Sequence, residues 1–211
     1  MAESLASMVK QLREMTGAGP LDCKKALQEN DNDLQKAAEW LRERGIAKAQ
    51  KKLGKKGERS LNEGVIEVYQ HFNKRNAVIV EVNCETDFVA NTDQFQTFAR
   101  DVALHISNMK PRYVAREEVP AEVVANERRV LLASDDLQGK PENIQEKIVE
   151  GRLEKFYQEI VLMEQEFLKD DSKTINQLLE EAVAEIGEPI VISRFAVYEL
   201  GENEGNAEDD E

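Results

Sequence analysis

This sequence is poor in the groups from which reactive sites are built. Its 211 residues hold two cysteines, Cys23 and Cys84, and two histidines, His71 and His105. The cysteines stand far apart without ligand-spaced partners, which excludes a disulfide framework and a zinc spacing and leaves two reduced thiols. His71 falls at the end of a predicted strand and His105 late in a predicted helix, so a structural role fits each better than a general base. There is no G-x-x-x-x-G-K-[ST] phosphate loop: counted from Gly17, the second glycine position is Asp22, and Gly54 and Gly57 are wrongly spaced. G-x-S-x-G and H-E-x-x-H are missing too. Nothing here supports an enzyme, and no cofactor or bound metal is expected.

Long apolar runs are also missing. No stretch approaches the roughly 18 uninterrupted apolar residues of a membrane span. The opening Met1-Ala-Glu-Ser-Leu-Ala-Ser7 lacks the cationic start of a secretory signal and the Arg-rich character of a transit peptide, so a cytoplasmic location is expected. Aromatics make up only 6% of the residues while 33% are charged, which favours a helix-rich protein over an all-β one.

What the chain has in excess is negative charge, unevenly placed. The net charge is −14, yet residues 1–60 carry 13 Lys+Arg against 9 Asp+Glu, whereas residues 61–211 carry 15 against 33. So acidic a body repels nucleic acid, and no direct nucleic-acid partner is expected. Protein partners fit better, with opposite charge raising the encounter rate more than the affinity.

Apolar periodicity divides the chain. Leu5, Met8, Val9, Leu12 and Met15 follow helical spacing with Ser4 placed to cap, and Gly17-Ala-Gly-Pro20 stops that helix. A short second helix runs through Asp22 to Leu27. Asp33 caps a third, with Leu34, Ala37, Ala38 and Leu41 inward and Gly45 as its predicted end. Residues 1–45 therefore read as a three-helix domain. Residues 46–60, rich in lysine with two glycines, read as a basic linker. Residues 61–200 read as an α+β core. A hairpin of Val65–Phe72 and Ala77–Val82 is joined by the late strand Ile190–Leu200 into a three-stranded antiparallel sheet, with helices near 92–108, 120–137, 142–168 and 174–186. Residues 201–211 hold six acids and read as a disordered tail.

The loop Asn83-Cys-Glu-Thr-Asp-Phe-Val-Ala-Asn91 sets an acid beside a large aromatic where the strand pattern gives way to a helix pattern. Connections carry function more often than cores do. Two readings of Phe88 stay open on these residues: it folds back onto the core beneath a Thr92-capped helix, or it stands out as a wedge for a partner.

Three blocks resemble one family. Leu12-Arg-Glu-Met-Thr-Gly-Ala-Gly-Pro-Leu-Asp-Cys-Lys-Lys-Ala-Leu27 resembles a signature of bacterial translation elongation factor Ts, and Glu81-Val-Asn-Cys-Glu-Thr-Asp-Phe-Val-Ala90 resembles its second. Gly151–Phe156, Glu164–Phe167 and Arg194–Glu202 are similar to its C-terminal pattern. The resemblance covers residues 1–202 and is to the short form, known in some thermophiles and cyanobacteria, which lacks the second core subdomain and coiled-coil insertion of longer members. It implies a ubiquitin-associated-like three-helix domain on an α+β core, and a guanine-nucleotide exchange factor for GDP-bound elongation factor Tu. It further implies that Thr86, Asp87, Phe88 and Val89 dislodge the GTPase's Mg²⁺, and that Arg13, Pro20, Leu21 and Lys24 grip the GTPase domain. Pro20-Leu21 departs from the bulkier pair of many members. The missing subdomain suggests a homodimer supplying the absent surface.

Two rivals stand beside this reading. One is an acidic helical adapter for some other protein; the other is a ribosome- or RNA-associated protein using Lys48–Arg59.

Overall fold

A computed structural model describes residues 4–16, 18–53 and 61–202. The architecture is the expected α+β one, three helices followed by a helix-rich core with a three-stranded antiparallel sheet. The chain divides into two compact units. One comprises Met1–Gly64, Asn83–Phe95 and Leu179–Val191; the other comprises Val65–Val82, Gln96–Leu178 and Ile192–Glu211.

In the first unit, α1 (Leu5–Thr16), α2 (Pro20–Glu29) and α3 (Leu34–Leu53) form the three-helix bundle. Ser4 caps α1 by accepting from the Ser7 amide at 3.3 Å, and Asp33 caps α3 by accepting from Gln35 and Lys36 at 3.0 and 3.1 Å. Leu12, Cys23, Ala26, Leu27 and Ala37 are fully buried at its centre, with Met8, Val9, Leu34 and Trp40 packed around them. Each large side chain so buried stabilises by about 1.5–3 kcal/mol.

The expected end of α3 at Gly45 is wrong, because the helix continues to Leu53. A mid-helix glycine costs only about 1 kcal/mol against alanine, and Ile46-Ala-Lys-Ala-Gln-Lys-Lys-Leu53 is rich in helix formers. Gly45 is useful there: a Cβ on it would sit 3.2 Å from the Ala184 Cβ, so the bare backbone lets α8 (Ile175–Ile186) approach closely. Arg42 bonds Glu181 of α8 at 2.8 Å across the same contact. Half of the expected linker is thus helical, while residues 54–60 and the tail from 203 lie outside the described residues.

In the second unit the sheet order is β1-β2-β5, from β1 (Glu63–Gln70), β2 (Asn76–Cys84) and β5 (Val191–Glu199). Val78, Val80 and Val82 are buried on one face, and Ile79 between them is exposed, the alternation of a half-covered sheet. α5 (Asp93–Met109) buries Phe98, Ala99, Val102 and Ile106. The expected helix over 120–137 is α6 (Ala121–Leu132) followed by a separate 3₁₀ turn at Asp135–Leu137.

The expected helix over 142–168 is likewise cut short. α7 runs Glu142–Ile160, and a 3₁₀ turn then leads into a small hairpin of β3 (Glu166–Phe167) and β4 (Asp170–Thr174). Ile160, Val161 and Leu162 are all buried in succession, which one helix face cannot achieve. The chain instead leaves the helix and pairs with Tyr113, whose carbonyl accepts from the Leu162 amide at 2.9 Å. Among the described residues no helix is long and apolar enough to cross a membrane.

His105 fastens that hairpin to α5. Its Nδ1 accepts from the Leu168 amide at 3.2 Å, so Nε2 carries the proton and donates to Gln165 Oε1 at 2.9 Å; Gln165 in turn donates to the Glu159 carbonyl at 2.7 Å. Burial pulls the imidazole below its ordinary range, and protonating Nδ1 would break the Leu168 bond. The unfolded chain then binds a proton that the folded chain refuses, so this contribution to stability is complete above the ordinary histidine value and declines as pH falls below it. In urea titrations we expect unfolding free energy to fall from about pH 6.5 downward, and His105→Gln to be less stable at pH 8 with a flatter dependence between about pH 5 and 7. An unchanged slope in the variant would contradict the assignment.

Candidate functional site

The loop after β2 closes into a one-turn helix, α4 (Asp87–Ala90), in the first compact unit. Thr86 is its N-cap, extended at φ −131° and ψ 149°, with its Oγ1 accepting from the Val89 amide at 3.3 Å. The Thr86 carbonyl accepts from the Ala90 amide at 3.2 Å and from the Cys84 thiol at 3.1 Å. Burial pushes that thiol up, keeping it a donor at neutral pH. At the other end the Asp87 carbonyl accepts from the Asn91 amide and Nδ2 at 3.1 and 2.8 Å. The Val89 carbonyl accepts from the Thr92 amide and hydroxyl at 2.9 and 2.8 Å, while the same hydroxyl caps α5 by accepting from the Phe95 amide at 3.3 Å.

A distant residue completes the turn. Glu188 accepts from the Thr86 hydroxyl at 2.9 Å through Oε1 and from the Thr86 amide at 3.2 Å through Oε2. In sequence Gly187-Glu188-Pro189 reads only as a break between a helix and a strand. No local periodicity signals a partner 102 residues away.

Asp87 and Phe88 point outward. Phe88 is 82% exposed, which rules out the fold-back onto the core, and Val89 is half-buried. Among the described residues the Asp87 carboxylate has no recorded hydrogen-bond or ion-pair partner. Phe95, on the next helix, is fully buried, so one short segment sends one phenylalanine in and one out.

The other four singled-out residues lie on α1 and α2. Arg13, Pro20, Leu21 and Lys24 are all exposed, whereas Leu12, Cys23, Ala26 and Leu27 of the same two helices are buried. Pro20 is the first residue of α2, where its missing amide hydrogen is of no consequence, and Leu21 behind it is 82% exposed. The same compact unit thus carries both groups, with an uncovered large apolar side chain in each. A groove of about 1090 Å³ in this unit, lined among others by Met15, Trp40, Arg44 and Ala184, includes none of these eight residues; Arg44 lies 4.6 Å over the Trp40 ring there.

Comparison with known proteins agrees with the family that the sequence blocks resemble. The family described as Elongation factor TS matches residues 2–202. The elongation factor Ts of Desulfitobacterium hafniense is 53% identical over 210 residues, covering 100% of this chain and 95% of that protein. That of Carboxydothermus hydrogenoformans is 53% identical over 205 residues, with 97% and 93% covered. That of Acetivibrio thermocellus is 55% identical over 197 residues, with 93% and 90% covered.

Exposure separates the two phenylalanines in a measurable way. Phe88→Ala should change unfolding free energy by no more than about 0.5 kcal/mol, whereas Phe95→Ala should cost about 3–5 kcal/mol. Equal losses in denaturant titrations would mean that Phe88 is packed in solution.

Proposed function

This chain belongs to the elongation factor Ts family, and we propose that it is a guanine-nucleotide exchange factor for elongation factor Tu. In this reading it binds the GDP-bound GTPase in the cytoplasm, displaces the partner's Mg²⁺ and promotes replacement of GDP by GTP during translation elongation. It acts by binding, with no catalytic residue of its own.

The observation that carries the reading is Phe88, exposed on a turn that is held by bonds from Thr86, Glu188, Asn91 and Thr92. Such a side chain enters a partner with little ordering cost, the condition under which an aromatic becomes a strong anchor. Phe88 acts as the apolar wedge and Val89 widens it; Asp87 draws on backbone or water near the metal; Thr86 holds the turn. Mg²⁺ bridges the nucleotide phosphates to the GTPase, so its displacement removes a large part of the electrostatic clamp. Leu21 and Pro20 supply a second apolar contact, and Arg13 and Lys24 its charged margin.

The same reading extends to a homodimer. The sheet face opposite Val78, Val80 and Val82 carries Ile66, Val68, Ile79 and Tyr198, all exposed. Arg194 pairs with Glu81 at 2.7 Å between β5 and β2. An apolar face of this kind is what a second copy would cover. Sedimentation at micromolar concentration should then give about twice the 23.9 kDa chain mass. A monomer mass with full activity would refute the dimer.

Exchange itself is tested by release of fluorescent GDP from elongation factor Tu. The unaltered chain should speed release strongly, and Phe88→Ala should lose about tenfold or more of that effect, as removal of a central aromatic anchor does. A chain that leaves the release rate unchanged would defeat the proposal.

A further inference from the structure

We infer that Glu188 is a positioning residue for nucleotide exchange, holding the Asp87–Phe88 turn in the orientation that enters the GTPase; this rests on the exchange function proposed above. Glu188 touches neither Asp87 nor Phe88 in any recorded bond. It acts through Thr86, and the chemistry of a hydroxyl explains how.

A threonine hydroxyl has one proton to donate and lone pairs with which to accept. Glu188 takes the proton at 2.9 Å, which turns the oxygen's lone pairs toward the Val89 amide at 3.3 Å. The carboxylate also takes the Thr86 amide at 3.2 Å, a group that no backbone carbonyl of α4 can reach because it precedes the helix. Both donors of the cap residue thus end on one charged acceptor, and bonds to a charged acceptor are the stronger kind. The Cys84 thiol holds the remaining Thr86 polar atom, the carbonyl, from the strand side at 3.1 Å. A four-residue helix has no stability of its own, so its orientation is set by these outside bonds.

Glu188 is itself placed by rigid neighbours. Gly187 takes φ +89°, a left-handed conformation that ends α8, and its amide donates to the Val183 carbonyl at 3.0 Å. Pro189 then steers Glu188 away from helical backbone. The helix end, the carboxylate and the cap belong to one compact unit.

The test uses the full chain and variants Glu188→Ala and Glu188→Gln, with Glu185→Gln as a control that removes a neighbouring carboxylate charge bonded to Gln94. In amide hydrogen exchange, residues 85–91 of Glu188→Ala should exchange about tenfold faster while α1–α3 keep their protection. In fluorescent-GDP release from elongation factor Tu, the maximal rate at saturating chain should fall about tenfold and the half-saturating concentration should stay within about twofold, the pattern of lost orientation rather than lost grip. Glu188→Gln should move the same way, and Glu185→Gln should not. Combined with Thr86→Val, Glu188→Ala should be no slower than the slower single variant, since both remove one bond network. Unchanged amide exchange at 85–91, an unchanged maximal rate, or fully additive losses would overturn the assignment. If the unaltered chain fails to release GDP, the exchange function falls; faster amide exchange in Glu188→Ala would still establish that Glu188 holds the turn.

Discussion

The two donors of Thr86 must both be satisfied for the candidate site to exist in this form, and Glu188 satisfies both. A one-turn helix standing off a strand end has no hydrogen-bond ladder to maintain it. Its carbonyls can be taken by the residues that follow, as Asn91 and Thr92 do, but the amide and hydroxyl of its cap need an acceptor from elsewhere. The α8 terminus delivers that acceptor. Close approach of α8 to α3 is in turn permitted by Gly45, where any side chain would press on Ala184. A glycine in one helix, a glycine at the end of another and a carboxylate between that glycine and a proline thus bear on the same four residues.

With the backbone held this way, the exposed ring of Phe88 packs on little of the fold. An exposed phenylalanine forgoes about 1.5–3 kcal/mol that burial would provide. Phe95, seven residues later and fully buried, shows that the same local structure can accept an inward ring. Phe88 is therefore not outside for want of a core. On the proposed function, that forgone burial free energy is what docking recovers, and a held turn keeps the ordering cost of that step small.

Much of this was legible from local pattern. Val78, Val80 and Val82 alternate as a half-buried strand must, and Ser4, Asp33 and Thr92 are cap residues in both sequence and structure. The three helices and the three-stranded sheet followed from periodicity and from the instability of a lone hairpin; that β5 joins it along β2 did not. What escaped depends on distant or non-periodic contacts. Glu188 lies 102 residues from Thr86; α8 comes close to α3 at Gly45; and β3 is two residues long, within a stretch of helix formers. For Phe88, pattern alone left inward and outward readings open, and the structure decides exposure while the family motif supplies the reason to expect a partner.

On the proposed function, magnitudes explain why a wedge needs an anchor. Each tenfold loss of nucleotide affinity requires about 1.4 kcal/mol from the protein interface. Burying Phe88 yields about 1.5–3 kcal/mol, enough for one or two factors of ten and no more. A larger effect needs contacts that remain when nucleotide leaves, and Leu21, as exposed as Phe88, together with Arg13 and Lys24, lies in the same compact unit. Coupling is reciprocal, so returning nucleotide weakens the hold of this chain by the factor by which the chain weakened the nucleotide's. A protein working in this way requires no phosphate loop, and its selectivity between partner states rests on how firmly Thr86 keeps Asp87 and Phe88 from relaxing into the partner's nucleotide-bound shape.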